Sequence, residues 1–286
     1  MTHPVKGIDH CFALVDDLDA AAAQYKALGF TLSPRGLHSA AKGSANYTIM
    51  FPDDYFELLG ILTPTEGNAE RREALARMGQ GLHAIACRIE DAEAAAEALA
   101  ELSIPTQGLG SFSRPVPLPD GTEGVAAFST VSFTPADTPL GTVFMCQHKT
   151  RDTVWLPELL THPNTACGLS AILAISDAPE ADATSFARLW AEGAVSTDDG
   201  FSTIHTGPNS APLILAETDR MTSAYPGLDL AATAQGGFTV LQIKVSNLDA
   251  ARRCVEGANA TCVETSKGIA VAPQSAAGVI VEFVPA

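Results

Sequence analysis

No stretch of this sequence approaches the ~20 consecutive apolar residues of a membrane-crossing helix, so no membrane span is expected. Basic residues are scarce as well: 17 Lys plus Arg stand against 33 Asp plus Glu, a net charge of −16. Such a chain repels phosphate backbones and anionic lipid, which argues against nucleic acid and membrane surfaces as partners. The six cysteines (Cys11, Cys87, Cys146, Cys167, Cys254 and Cys262) include no CxxC pair. They read as small buried thiols in a reducing compartment rather than a zinc or disulfide framework. There is no GxSxG elbow, no GxxxxGK[ST] phosphate loop and no HExxH helix, which removes the common hydrolase, nucleotide and zinc-protease signatures. The opening MTHPVKGIDH lacks the apolar core of a secretory signal, so the expected location is cytoplasmic. What remains, 286 residues that are 46% hydrophobic and 17% charged, describes a globular protein long enough for two domains.

What the chain does have is a repeat. IDHCFALVDDLDAAAAQY from Ile8, LHAIACRIEDAEAAAEAL from Leu82, LSAILAISDAPEADATSF from Leu169 and FTVLQIKVSNLDAARRCV from Phe238 each run from an apolar strand through a polar corner into a helix. The corners are Asp16 and Asp17, Glu90 and Asp91, Ser176 and Asp177, and Ser246 and Asn247. Their short polar side chains suit a helix N-terminus, where acceptors and negative charge are favoured. About three strand-like segments follow each helix, so the unit is βαβββ, used four times in an α+β fold. The modules span 1–62, 80–150, 166–218 and 237–286, with a polar connecting helix in PTEGNAERREALARMGQG. The proline-bearing 151–165 reads as a linker between an N-terminal domain, 1–150, and a C-terminal domain, 166–286.

GIDHCFALVDDLDAA and DDYFELLGI resemble the opening and closing strands of the vicinal oxygen chelate superfamily, which includes glyoxalase, bleomycin-resistance and extradiol dioxygenase proteins. GSANYTIMFPDDYFELLG, RPVPLPDG and FMCQHK…HPN resemble its glyoxalase-like domain branch. The resemblance implies that paired modules curve a mixed sheet around a cup, with helices outside. It also implies a divalent metal (Zn, Mn, Fe, Ni or Co) held from the first and last strands of both modules. Those positions map onto His10, Glu57, Ala84 and the strand from Met145 to Gln147.

Strand side chains alternate between faces. His10, Phe12 and Leu14 then share the cup face with Ala84, Ala86 and Arg88, while Ile85, Cys87 and Ile89 face the helices. His83 falls out of register unless a bulge re-aims it. His10 and Glu57 are the expected catalytic pair and metal ligands, completed by Gln147 or His83; Met145 is the alternative to Gln147. Arg88 either anchors a carboxylate or phosphate or pairs with Glu57. Arg114 and Arg35 are candidate reinforcements, and Tyr47, Asn46 and His38 are expected to line the same cup. His148 and His162 are further candidates, more typical of structural histidines. In the C-terminal half Ser170 and Val240 replace His10, and Glu282 alone echoes Glu57, with Gln242 and Lys244 facing a second cup. That half is expected to serve mainly as a structural partner that packs on the first or closes its cavity, with ligand binding as the alternative. The expected function is an enzyme acting on a small oxygenated anionic metabolite by lyase, isomerase or dioxygenase chemistry. The alternative is a small-molecule sequestering protein, and a homodimer is the expected assembly.

Overall fold

A computed structural model describes residues 2–118 and 121–286; Pro119 and Asp120 of the RPVPLPDG motif lie outside the described residues. The first module comprises β1 (Ile8–Val15), α1 (Leu18–Ala27), β2 (Gly36–Leu37), β3 (Ser44–Met50) and β4 (Tyr55–Ile61). After α2 (Ala69–Met78) come β5 (Gly81–Arg88), α3 (Ala92–Glu101), β6 (Thr106–Pro117), β7 (Glu123–Phe133) and β8 (Thr142–His148). The third module is β9 (Ala166–Ile175), α4 (Pro179–Ala187), β10 (Ala194–Asp198), β11 (Phe201–His205) and β12 (Leu213–Ala216), followed by α5 (Thr218–Ala224). The fourth is β13 (Phe238–Val245), α6 (Leu248–Gly257), β14 (Cys262–Glu264), β15 (Ile269–Val271) and β16 (Ile280–Pro285).

The polar corners cap the helices. Asp17 accepts from the Asp19 and Ala20 amides, Asp91 from Ala94 and Asn247 from Ala250. In the third module the corner works differently: Ser176 Oγ accepts from the Ala178 amide just ahead of Pro179, and its hydroxyl donates to Asp182.

Each module closes by pairing its last strand parallel to its first, as in β1–β4, β5–β8, β9–β12 and β13–β16. Modules join antiparallel through their first strands, β1 to β5 and β9 to β13. A single pairing, Leu82 with Phe238, links the two half-sheets. The helix-side residues Cys11, Ala13 and Val15 share one apolar core with Ile85, Cys87 and Ile89, and the same core takes in Phe238, Ile243 and Phe283 from the other half.

Residues 151–165 pack closely against the first module. Trp155 Nε1 donates to the Phe51 carbonyl at 2.9 Å. His162 accepts from the Thr31 amide at Nδ1 and donates from Nε2 to the Met50 carbonyl, a structural role.

Two irregularities in the β1–β5 ladder position the site. Between the pairs Ile8–Cys87 and His10–Ala86, β1 carries one extra residue, Asp9. Between Phe12–Ala84 and Ala13–Leu82, β5 carries one extra residue, His83. A bulge re-aims the residue it leaves unpaired, and both of these residues are polar and buried.

Candidate active site

The concave face of the N-terminal half encloses a cavity of about 550 Å³. His10 from β1 and Glu57 from β4 both line it, as do His38, Asn46, Arg114 and His83. The bulge therefore brings His83 to the cup, although its Nε2 is committed to the Gly79 carbonyl at 2.7 Å.

His10 is 3% exposed. Its Nδ1 lies 2.8 Å from Asp9 Oδ1, its ring stacks on Tyr55 at 4.2 Å, and Phe144 meets it edge-on. The acceptor at Nδ1 assigns the proton there and leaves the Nε2 lone pair without a protein partner among the described residues. Asp9 Oδ1 also takes His148 Nε2 at 2.9 Å, and Arg88 Nε approaches the other oxygen at 3.7 Å. Burial alone would raise the Asp9 carboxyl, but hydrogen bonds and charge from the two imidazoles outweigh it and hold the group well below the usual carboxylate range. His148 is enclosed by Tyr55, Phe128 and Trp155.

Glu57 accepts from Asn46 Nδ2 at 2.8 Å. Three cations converge on its cavity: Lys42 from the loop before β3, Arg71 from α2 and Arg114 from β6. None of them is ion-paired among the described residues, while Lys42 Nζ rests over the Phe112 ring. Burial, aided by Arg71 and opposed by Glu57, pushes the Lys42 ammonium down to about 8. Burial also lowers Arg71 and Arg114, with Glu57 opposing. His38 is pushed down to about 4, mainly by burial, so near neutral pH it is an uncharged wall residue bonded to Ser44 Oγ.

Several expected positions are corrected. Tyr47 faces the helices, its hydroxyl donating to Asp19 Oδ1 at 3.1 Å, because Asn46 and Thr48 take the cup side of β3. Gln147 also faces outward, its side-chain oxygen accepting from the Ala92 amide at the start of α3. The cup side of β8 belongs to Phe144 and Cys146, and Met145 is in the core. Arg88 neither lines the cavity nor pairs with Glu57. It donates to the Asp53 and Ile8 carbonyls and braces Asp9, because the bulge at Asp9 changes what lies opposite the end of β5. Arg35 is ion-paired with Asp19 on the surface. Sequence reasoning missed Asp9, Lys42 and Arg71. The signal for Asp9 was a carboxylate inside an apolar strand; Lys42 and Arg71 lie in segments whose polarity looks like ordinary solvent exposure.

Residues 8–202 match the family model described as a glyoxalase-like domain. The chain belongs to the glyoxalase-like domain family, within the vicinal oxygen chelate superfamily. Its fold is similar to that of a hypothetical protein from Staphylococcus aureus, at 13% identity and a TM-score of 0.69 over 98% of this chain and 99% of that one. It is also similar to a variant of homoprotocatechuate 2,3-dioxygenase from B. fuscum, at 12% identity and a TM-score of 0.57 over 100% of this chain and 72% of that one. At these identities the likeness is one of fold. No curated protein sequence matches the chain.

Vicinal oxygen chelate proteins commonly hold a divalent metal in the cup, so the donors of this glyoxalase-like cup can be tested against one. Ala84 has no donor atom, Phe144 occupies the cup side of β8, Gln147 caps a helix, and one nitrogen of His83 is spent on a carbonyl. Of the mapped strand positions His10 Nε2 and Glu57 remain. Cys146 and His83 also line the cavity, but among the described residues neither completes a three-donor group with this pair, and three protein ligands are usual for a catalytic site. Asp9, His10 and His148 do bring donor atoms within 4.8 Å of one another. There, however, Asp9 Oδ1 already takes a hydrogen bond from each imidazole, Arg88 supplies positive charge, and aromatic rings close the cluster. A catalytic metal needs an open position. These residues do not fit one.

Proposed function

We propose that the N-terminal cup is the active site of an enzyme that moves a proton on a small, oxygenated, anionic metabolite. The observation that carries this reading is one cavity holding an Asp9-oriented imidazole and a buried carboxylate opposite three unpaired cations. Arg71, Arg114 and Lys42 would bind the anionic group through charge-assisted hydrogen bonds. His10 Nε2 would take the proton from a carbon next to a carbonyl, and Asp9 would stabilise the imidazolium that forms. The developing enediolate oxygen would accept hydrogen bonds from the same cations, preorganised in a water-poor cavity. In an isomerisation the His10 imidazolium would return its proton at the neighbouring carbon while Glu57, held by Asn46, carries the hydroxyl proton from one enediolate oxygen to the other; expulsion of a leaving group instead would give a lyase. Ring cleavage with O2 is the least suited of the expected chemistries, because Ala84 and Phe144 do not complete a two-histidine, one-carboxylate set.

The test needs no known product. In D2O, the protein is incubated with a panel of small 2-oxo and 2-hydroxy acids, and NMR follows replacement of carbon-bound hydrogen by deuterium. Exchange with at least one acid is expected, reduced about 100-fold or more in His10→Ala. Binding of acids without exchange would instead support the sequestering reading, which the loss of donors at Ala84 and Phe144 favours.

A further inference from the structure

The C-terminal half encloses a second cavity, of about 620 Å³, whose buried carboxylate has fewer cations lining its cavity than Glu57 has in the first. At its floor lies Glu282, 1% exposed. Glu282 on β16 stands opposite Gln242 on β13, just as Glu57 on β4 stands opposite Phe12 on β1. Its carboxylate accepts from Tyr225 and Gln242 at 2.7 Å each, and from the Thr265 hydroxyl. All three donors are neutral, and no Lys or Arg pairs with Glu282 among the described residues. In a half kept only for packing, a buried carboxylate without a counter-charge costs stability and gains nothing.

The surroundings favour positive charge as well. Leu173, Ile214, Phe201 and Tyr225 supply apolar and aromatic wall. Exposed Asp198, Asp199 and Glu264 ring the mouth with Arg220 and Lys267; Arg220 pairs with Asp199 and Arg252 with Glu264, so Asp198 is the mouth carboxylate without an ion pair among the described residues. The wall already receives a cation from the chain itself: the Arg220 guanidinium lies over the Phe201 ring at 4.3 Å and bonds Asp199. An aromatic face beside carboxylates is a recognised environment for an organic cation. In the N-terminal cup, by contrast, Lys42, Arg71 and Arg114, none of them ion-paired among the described residues, surround buried Glu57, with exposed Glu66 and Glu70 at the rim.

We propose that the C-terminal cup is a second binding site, for a small organic cation, an amine on an apolar body, anchored by Glu282. The ammonium would take the one acceptor site that these donors leave, on Oε1, and the body would lie against Leu173, Ile214 and Tyr225. Wild-type protein is titrated calorimetrically with benzylamine, with uncharged benzyl alcohol and with benzoate. Benzylamine alone should bind saturably, with a Kd near or below about 1 mM. Glu282→Gln should weaken it about tenfold, whereas Arg114→Ala in the other cup should leave it unchanged. Should Glu282→Gln fail to fold, Asp198→Lys at the exposed mouth should weaken benzylamine about threefold. The idea is overturned by equal binding of all three probes, by no binding, by loss of binding in Arg114→Ala, or by unchanged affinity in the folded Glu282 or Asp198 variant.

Discussion

At the scale of single residues, the site turns on a carboxylate that alternation alone misplaces. His10 and Glu57 were legible because each is a polar residue inside an otherwise apolar strand and must be paired, coordinated or solvated. Asp9 is the neighbour of His10, so strict alternation sends it toward the helices. The bulge reverses that, and no feature of the sequence announces a bulge. Asp9→Asn keeps an acceptor but removes the charge that both imidazoles face, leaving a buried network half satisfied. Destabilisation of about 3 kcal/mol at neutral pH is expected from urea unfolding. Because the folded-state value of Asp9 lies below its unfolded value, its contribution is complete above about pH 4 and fades as pH falls below that range. The gap between wild type and variant should therefore narrow on acidification; a gap constant down to the lowest measurable pH would mean that Asp9 acts by packing alone. Deuterium exchange into the substrate acid should fall about tenfold or more in the same variant.

At the scale of elements, the four repeats carried the architecture because strand period, polar corner and helix all agree. Asp17 shows how local that agreement is: its carboxylate satisfies two amides of α1, so Asp17→Ala should cost about 1 kcal/mol in urea unfolding. The parts that were not legible depend on pairing between elements. Aligning FMCQH on its aromatic start places Gln147 in the cup. The parallel pairing of Ala86 with Phe144 and Arg88 with Cys146 instead puts Phe144 and Cys146 inward and turns Gln147 toward α3. The same blindness applied to α2, which looks like a solvated connector until it delivers Arg71 over the cavity. Arg71 is half-buried and has no ion pair among the described residues, so Arg71→Ala should keep the thermal midpoint within about 2 °C. It should weaken binding of the best small carboxylate about tenfold by calorimetry. An unchanged affinity would remove α2 from the site.

At the scale of the whole molecule, the two halves are bonded through more than their adjoining sheets. Phe30 stacks on Phe283, the Tyr25 hydroxyl donates to the Ala276 carbonyl, and the Gln24 side-chain amide donates to the Gln274 carbonyl. A further link is titratable. Asp54, at the turn before β4, is 7% exposed and accepts from the Leu169 amide of β9 at 3.0 Å. Burial pushes its carboxyl up to about 7, against the Leu169 hydrogen bond and the charges of Lys244 and Arg88, with Asp53 adding to the rise. An unfolded aspartate loses its proton near pH 4. Between about pH 4 and 7 the folded state therefore holds a proton that the unfolded chain has released, and stability declines as pH rises through that window. Asp54→Asn keeps the oxygen that accepts from Leu169 and abolishes the titration. The variant should match wild type at pH 4 and exceed it by roughly 4 kcal/mol at pH 8 in urea unfolding. A parallel pair of stability profiles from pH 4 to 8 would show that the junction between the halves does not sense protons through Asp54.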